Sequence, residues 1–530
     1  MIKNTIFAVL LSVLAGCKTA QLTSHSSEPQ LQAHADLEPT KAEIPELGIC
    51  RFIEAPVDPE AFTDAWERVT AQLALEVPDN RRVRAQKSWY LNHPNYLKRV
   101  TKRAEPYLYF IIEQIEKRGL PLELALLPIV ESAYDPFAYS HGRASGMWQF
   151  IPGTGRGYGL TQNWWYDGRR DVYLSTNAAL DYLAFLNKHF KGDWLHALAA
   201  YNSGLGNVGR AIRKNKKKGK PTDFWSLKLP KETKAYVPKL LALAEILSER
   251  KNKQTAWTEV ANEPFFVRLP TDVQIDLSLA AELSEQPMSE FYKLNPAFNH
   301  WATAPNGPHY LLIPIEKSEI FSQNLNTIPK NERIAHKRYT IQSGDTLSSI
   351  AQKFSTTIKL LKANNNIARN QIRAGKSLLI PVPSEKRAIY SKSAQQRLLA
   401  KQKTKRKGNK LSVKVKSGDS FWTLSRRHNV SVRNLAAWNN MAPNDTLRVG
   451  QNLVLWTKNS HSKYAGLMNN QQKTKKIHYK VRNGDSFARI ADKFNVSLTK
   501  IKKWNSALSR KKYLQPGQSL TLFVDITNQL

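Results

Sequence analysis

The sequence predicts an α+β multidomain chain: a long, mainly helical region followed by small βααβ modules on flexible linkers. Three observations carry this. One short pattern occurs three times in the C-terminal part, and such repeats partition a chain before any other reading. The region upstream carries apolar residues at helical spacing. Between the repeats lie stretches rich in Lys, Gln, Ser and Asn, with almost no apolar periodicity.

The N-terminus opens on Met1-Ile2-Lys3-Asn4, a short positive start, and Thr5 to Leu14 is apolar. That run is too short to span a bilayer as a mature helix and suits a signal segment. It ends in Leu14-Ala15-Gly16-Cys17, which resembles the bacterial lipoprotein box. The resemblance implies removal of residues 1–16 as a lipoprotein signal peptide, with Cys17 acylated as the mature N-terminus. Lys18, where an Asp would signal retention, implies the outer membrane of a Gram-negative envelope, facing the periplasm. The alternative is an ordinary cleaved signal with an incidental cysteine. The chain has two cysteines, so an acylated Cys17 leaves Cys50 no intramolecular partner. Residues 17–45 are polar and read as a disordered leash.

The helical region spans residues 46–255, with its core motifs in 100–245. Pro106 to Lys117 has helical period, and Pro121 suits a first helical turn. Leu122, Leu124, Ala125, Leu126, Leu127 and Val130 follow as a densely apolar run ending on Glu131. A carboxyl group kept from solvent has a raised pKa and donates protons near neutrality. After Glu131-Ser132 come Ser140, then Gly146-Met147-Trp148-Gln149, then Ala200-Tyr201-Asn202, then Glu232 to Val237 with Tyr236.

That set, in that order, resembles the soluble lytic transglycosylase family. The resemblance implies a lysozyme-like, mainly helical fold with Glu131 as general acid and then general base. It implies that Ser140 contacts the muramyl N-acetyl group, that Met147 and Gln149 lie on a loop lining the cleft, and that Tyr201, Asn202 and Tyr236 complete the cleft. The common family wording is Gly-Leu-Met-Gln; here the apolar pair is changed. Trp148, Trp164, Trp165 and Tyr166 read as core or as stacking surfaces for sugars, and Gln162 to Tyr173 as an insertion at the cleft. His141, His189 and His196 lack metal-ligand spacing, so neither a metal nor a cofactor is expected.

An ordinary glycosidase uses two carboxylates. Asp135, four residues after Glu131, reads as a turn device in Asp-Pro, and no second acid is expected in the motif set. The resemblance implies substrate-assisted cleavage between N-acetylmuramic acid and N-acetylglucosamine, ending in a 1,6-anhydro ring. A lysozyme-type hydrolase and a non-catalytic peptidoglycan-binding anchor are the alternatives.

Residues 264–316 suggest two strands flanking helices, with Asn295-Pro296 at a turn: a degenerate form of the modules downstream, without Gly-Asp. The repeats proper occupy 338–382, 412–456 and 478–523. Each begins with an alternating strand and a turn: Gly344-Asp345-Thr346, Gly418-Asp419-Ser420 and Gly484-Asp485-Ser486. Each reaches an Asn-rich turn: Asn366 and Ile367, Asn440, and Asn505. The unit of roughly 45 residues is near the lower limit for an independent core. It resembles the LysM domain, which implies glycan binding by the turn residues just named. Their other reading is turn and cap alone. The segments 383–411, which is basic, and 457–477 read as tethers, and tethering several weak binders raises avidity.

The formal charge is +36. It favours anionic partners. The basic runs lie in tethers and the N-terminus reads as exported, which argues against nucleic acid. The expected partners are peptidoglycan glycan strands and, through the lipid anchor, a membrane, with the chain acting as a monomer.

Overall fold

The structure, a computed structural model, describes residues 58–253, 256–457, 474–494, 496–509 and 514–525. The signal segment, Cys17, the leash, Cys50 and most of the linker 457–477 lie outside the described residues. No helix among the described residues is long and apolar enough to cross a membrane.

The first region is helical. Helices α1 (Ala65–Ala71), α2 (Arg81–Leu91), α3 (Pro94–Ala104), α4 (Leu108–Glu116) and α5 (Leu127–Ser132) lead to the site. They are followed by α6 (Pro152–Gly157), α7 (Val172–His189), α8 (Trp194–Ser203), α9 (Leu205–Lys216), α10 (Lys231–Ser248) and α11 (Arg250–Lys253). Their apolar faces meet in one core; Ile111, Ile112 and Ile115 of α4 and Leu240, Leu241 and Leu243 of α10 are fully buried in it. The apolar run before Glu131 does not form one helix. Leu122–Leu126 is a 3-10 turn and α5 starts afresh at Leu127. Pro128 has no N–H for a continuous helix to donate.

The next module pairs β1 (Phe266–Pro270) antiparallel with β2 (Tyr310–Pro314) around α12 (Leu277–Leu283) and α13 (Met288–Leu294). It extends past residue 316, because Phe321 and Leu325 of α14 (Ile315–Thr327) are buried in its core. The repeats have the expected βααβ order. The first runs β3 (His336–Thr340), α15 (Leu347–Lys353), α16 (Ile358–Asn364) and β4 (Ser377–Pro381).

After α17 (Ala394–Lys403) the second runs β5 (Asn409–Lys414), α18 (Phe421–His428), α19 (Val432–Trp438) and β6 (Asn452–Thr457). The third runs β7 (Thr474–Lys480), α20 (Phe487–Lys493), α21 (Leu498–Trp504), α22 (Ser506–Ser509) and β8 (Ser519–Asp525). Each repeat has its own apolar cluster.

One asparagine recurs in all four modules. The side chains of Asn295, Asn365, Asn439 and Asn505 each bond the N–H and C=O of one residue on the closing strand: Leu312, Leu379, Val454 and Thr521. Each also donates to the helix one turn back. The Asn-rich turn is thus a clamp between helix and strand, and at Asn295 and Asn439 it satisfies two backbone groups that burial would otherwise strand.

Two further expectations are corrected. The segment 383–411 is not a free tether: Tyr390 is buried, its hydroxyl donates to the Asp276 carboxylate at 2.8 Å, and α17 places the Arg397 guanidinium 5.3 Å from the Phe137 ring centroid. One aromatic ring and the stems of basic side chains bury area that apolar periodicity does not register. Residues 162–173 pack on the β1–β2 module instead of entering the cleft. Tyr166 and Tyr310 both donate to the buried Asp171 carboxylate at 2.7 Å, and Trp165 is buried against Trp301.

Candidate active site

Glu131 occupies the last turn of α5. The chain leaves it through Ala133 and Tyr134, both with positive φ (54° and 55°), a conformation costly for residues other than glycine. Burial of the Tyr134 ring and a 2.6 Å hydrogen bond from its hydroxyl to the Ala125 carbonyl hold that turn. Arg103 reaches the Ala133 carbonyl from α3.

The following loop folds on itself. Ser140 N–H donates to the Ala144 carbonyl, and Gly146 N–H to the Ala138 carbonyl. Gly146 has φ +85°, and a Cβ there would lie 1.9 Å from the Arg169 carbonyl oxygen. Only glycine fits so close an approach. Gln149 has positive φ and ties its amide back to the Gly146 carbonyl at 2.7 Å.

These elements, with α8 and α10, enclose a cleft of about 430 Å³. Glu131, Ser140, Gln149, Tyr201, Asn202 and Tyr236 all line it. Tyr236, on α10, donates its hydroxyl to Glu131 Oε1 at 2.5 Å. Among the described residues the carboxyl group has no other hydrogen-bond partner. Burial pushes its pKa from an ordinary 4.5 up to about 7. The Tyr236 hydroxyl opposes that shift, the Glu232 charge adds to it and Lys239 opposes it. Burial first, and the Glu131 charge second, hold the Tyr201 and Tyr236 hydroxyls far above the ordinary tyrosine range, so both remain donors.

Tyr201 donates to the Trp148 carbonyl at 2.8 Å, and the Asn202 side chain accepts from Thr233, tying α8 to α10. Ser140 Oγ accepts from the Gly142 and Ala144 N–H groups at 3.2 and 3.0 Å. With both lone pairs occupied, its remaining capacity is to donate.

Met147 is elsewhere. It is buried in the core beside Trp148, whose indole bonds Thr176. The side chain that follows Gly146 points inward, so Gln149 is the residue of this motif that lines the cleft. Glu232 is the residue that sequence reasoning passed over: it lines the cleft, so a second carboxylate is present there. Its signal was available, since Glu232, Tyr236 and Lys239 are spaced i, i+4, i+7 on one face of α10. Asp135 caps a turn at Phe137, Asp167 pairs with Arg169, and Asp171 caps α7; none of the three lines the cleft. Among the described residues no group of three or more His, Cys, Asp or Glu is placed to hold a metal ion.

In the repeats, Gly344, Gly418 and Gly484 have positive φ and make the turns. Asp345 and Asp485 accept from the hydroxyl of a tyrosine on the preceding strand (Tyr339, Tyr479) and from a backbone N–H of the turn (Gln342, Arg482), and Asp419 from the Lys416 N–H and Arg427. Thr346, Ser420 and Ser486 cap α15, α18 and α20. Asn366 and Asn440 have positive φ, Ile367 packs on its module's core, and Asn505 is the clamp residue. These side chains build the turns of their modules.

Known families match successive parts of the chain. The family described as Transglycosylase SLT domain matches residues 109–224. The LysM domain matches residues 339–381, 413–456 and 479–523, and the family described as Lytic transglycosylase MltD, LysM-like domain matches residues 266–330. The chain is 31% identical to an autolysin of Enterococcus faecalis over 182 residues, 34% of this chain and 23% of that protein. It is 38% identical over 408 residues to the membrane-bound lytic murein transglycosylase D of Escherichia coli (strain K12), 75% of this chain and 86% of that protein. With so much of both chains aligned, this protein belongs to the family of membrane-bound lytic murein transglycosylase D.

Proposed function

We propose that this protein cleaves the β-1,4 bond between N-acetylmuramic acid and N-acetylglucosamine in peptidoglycan, leaving 1,6-anhydro ends. The observation that carries the reading is Glu131: a carboxyl group at about pKa 7 in a cleft, bonded on one oxygen by a tyrosine hydroxyl. Protonated, it gives its proton to the glycosidic oxygen as the C1–O bond breaks. Ser140 donates to the muramyl N-acetyl oxygen, which assists at C1. The Glu131 carboxylate then takes the C6 hydroxyl proton as O6 closes on C1, so no water is consumed. Tyr236 fits both steps, since its hydrogen bond stabilises the carboxylate that must exist between them.

Glu232 favours a second reading, a hydrolase in which it activates water. Mass analysis of the released muropeptides separates the two. The expected products lack a reducible end and are lighter by one water than a hydrolase's. Reducing-end products that vanish in Glu232→Gln would establish the hydrolase.

The LysM repeats hold the enzyme on murein, and the location is the cell envelope. Acylation of Cys17 anchors the chain to the outer membrane, since several acyl chains at roughly 0.8 kcal/mol per buried CH₂ bind stably. Cys17→Ser should release the protein from washed membranes; full retention would refute the anchor.

A further inference from the structure

A second cavity, of about 140 Å³, lies at the junction of four parts of the chain. Arg170 comes from the catalytic region, Asn299 from the module after it, Arg397 from α17 and Asn440 from the second repeat. The loop that carries Ser140 separates this cavity from the cleft. Ser140 and Ala144 line the cleft, while Tyr139 and Ser145, paired as an antiparallel bridge, line the junction.

The charges around the junction do not balance. Asp167 lines the cavity, but Arg169 takes both its oxygens, at 2.9 and 2.8 Å. Arg170 is 4% exposed, and its Nε stands 3.9 Å from Asp167, without a hydrogen-bond partner. Its Nη2 donates to Asn299 Oδ1, and Arg397 Nη2 reaches the same oxygen at 3.4 Å. Two guanidiniums therefore converge on one neutral amide. Asp445, the other acid near Tyr139, pairs with Arg143 at 2.7 Å. Burial, and then the charge of Arg170, press the Arg397 guanidinium toward its neutral form. Arginine resists that loss, and the other contacts of the Arg397 guanidinium, the Lys392 carbonyl and the Phe137 ring, are neutral, so among the described residues its charge has no ion-pair partner.

We infer that this junction is a binding site for a small oxyanion, held by Arg170 and Arg397 with Asn440 beside them. Guanidinium forks match the geometry of carboxylate and phosphate. The volume admits such a group on a short stem, well below the ~300 Å³ at which pockets begin to take larger ligands. Its consequence is mechanical. The anion joins the second repeat and α17 to the catalytic region, behind the loop that presents Ser140 to the cleft. Two sources share this chemistry, inorganic phosphate and the terminal carboxylate of a peptide.

Calorimetric titration of the full chain at fixed ionic strength, with inorganic phosphate and separately with D-alanyl-D-alanine, tests the site and distinguishes the sources. One saturable site per chain is expected for at least one of the two. Arg397→Gln should weaken it at least about thirtyfold, as loss of one partner from a buried charge pair does. Asn440→Asp places a carboxylate in the junction; aspartate tolerates the left-handed backbone there. It should abolish uptake of both probes and raise the thermal midpoint, a pair of results that a misfolded variant cannot give. No saturable binding of either probe, or binding that survives either substitution, overturns the site.

Discussion

Two glutamates eight residues apart both have desolvated carboxyl groups, but Glu123 is fully buried in the core while Glu131 is half-buried at a cleft. Glu123 is fully buried, and its Oε1 accepts the N–H groups of Ala74 and Leu75 at 2.8 and 2.7 Å. Glu131 Oε1 accepts from the Tyr236 hydroxyl, its one hydrogen-bond partner among the described residues, and lines the cleft. Burial raises the pKa of both. Desolvation by itself therefore does not distinguish a catalyst from a structural acid. The difference lies in what occupies the carboxyl group: backbone that has nowhere else to go, or a hydroxyl that can follow the proton.

The largest expected effect tests the catalytic half of that contrast. Glu131→Gln should reduce muropeptide release by a factor of ~10² to 10⁴ or more, because one group serves as acid and base. Pelleting with purified murein should be unchanged, since binding rests on the repeats. An active Glu131→Gln would place the chemistry elsewhere, with Glu232 first.

Glu123→Ala should act on stability instead. It orphans two N–H groups, at about 1–3 kcal/mol each. Denaturant unfolding should show the loss, while turnover per folded molecule stays at the wild-type value. A specific loss of turnover without destabilisation would erase the contrast.

Tyr236→Phe sharpens the comparison from the other side. A hydrogen bond to a charged group contributes about 1.5–3 kcal/mol, so kcat should fall roughly tenfold to a hundredfold. The Tyr236 hydroxyl lowers the Glu131 pKa, so removing it should move the alkaline limb of kcat/KM above its wild-type position near pH 7. A limb that stays in place would assign it to another group.

The smallest effect is one of linkage. A carboxyl group whose folded pKa is raised to about 7 contributes stability that is fully present below about pH 4.5 and lost as pH rises through 7. Glu131→Gln removes that dependence. Its melting midpoint should match the wild type near pH 4 to 5 and exceed it by a few degrees at pH 8. A midpoint difference that does not change with pH would refute the shift.

The sequence by itself determined what neighbours along the chain decide. The βααβ repeats were legible because a turn glycine, a capping Thr or Ser and the Asn-rich turn sit within a few residues of the elements they start and stop. Glu131 was legible because it ends an apolar run. Tertiary structure decided the rest. Tyr236 meets Glu131 across 105 residues, and Glu232 enters the cleft only because α10 brings that face with it.

Met147 went inward because Gly146 presses the loop onto the Arg169 backbone, and Tyr390 fixed a segment that composition described as loose. The Asn505 side chain clamps helix to strand through the Thr521 backbone, a partner 16 residues away. The reason is common to these cases. Turns and caps are short-range hydrogen bonds written in adjacent residues. Which side chain faces a cleft, a core or another module depends on the packing of surfaces far apart in sequence, which no local pattern specifies.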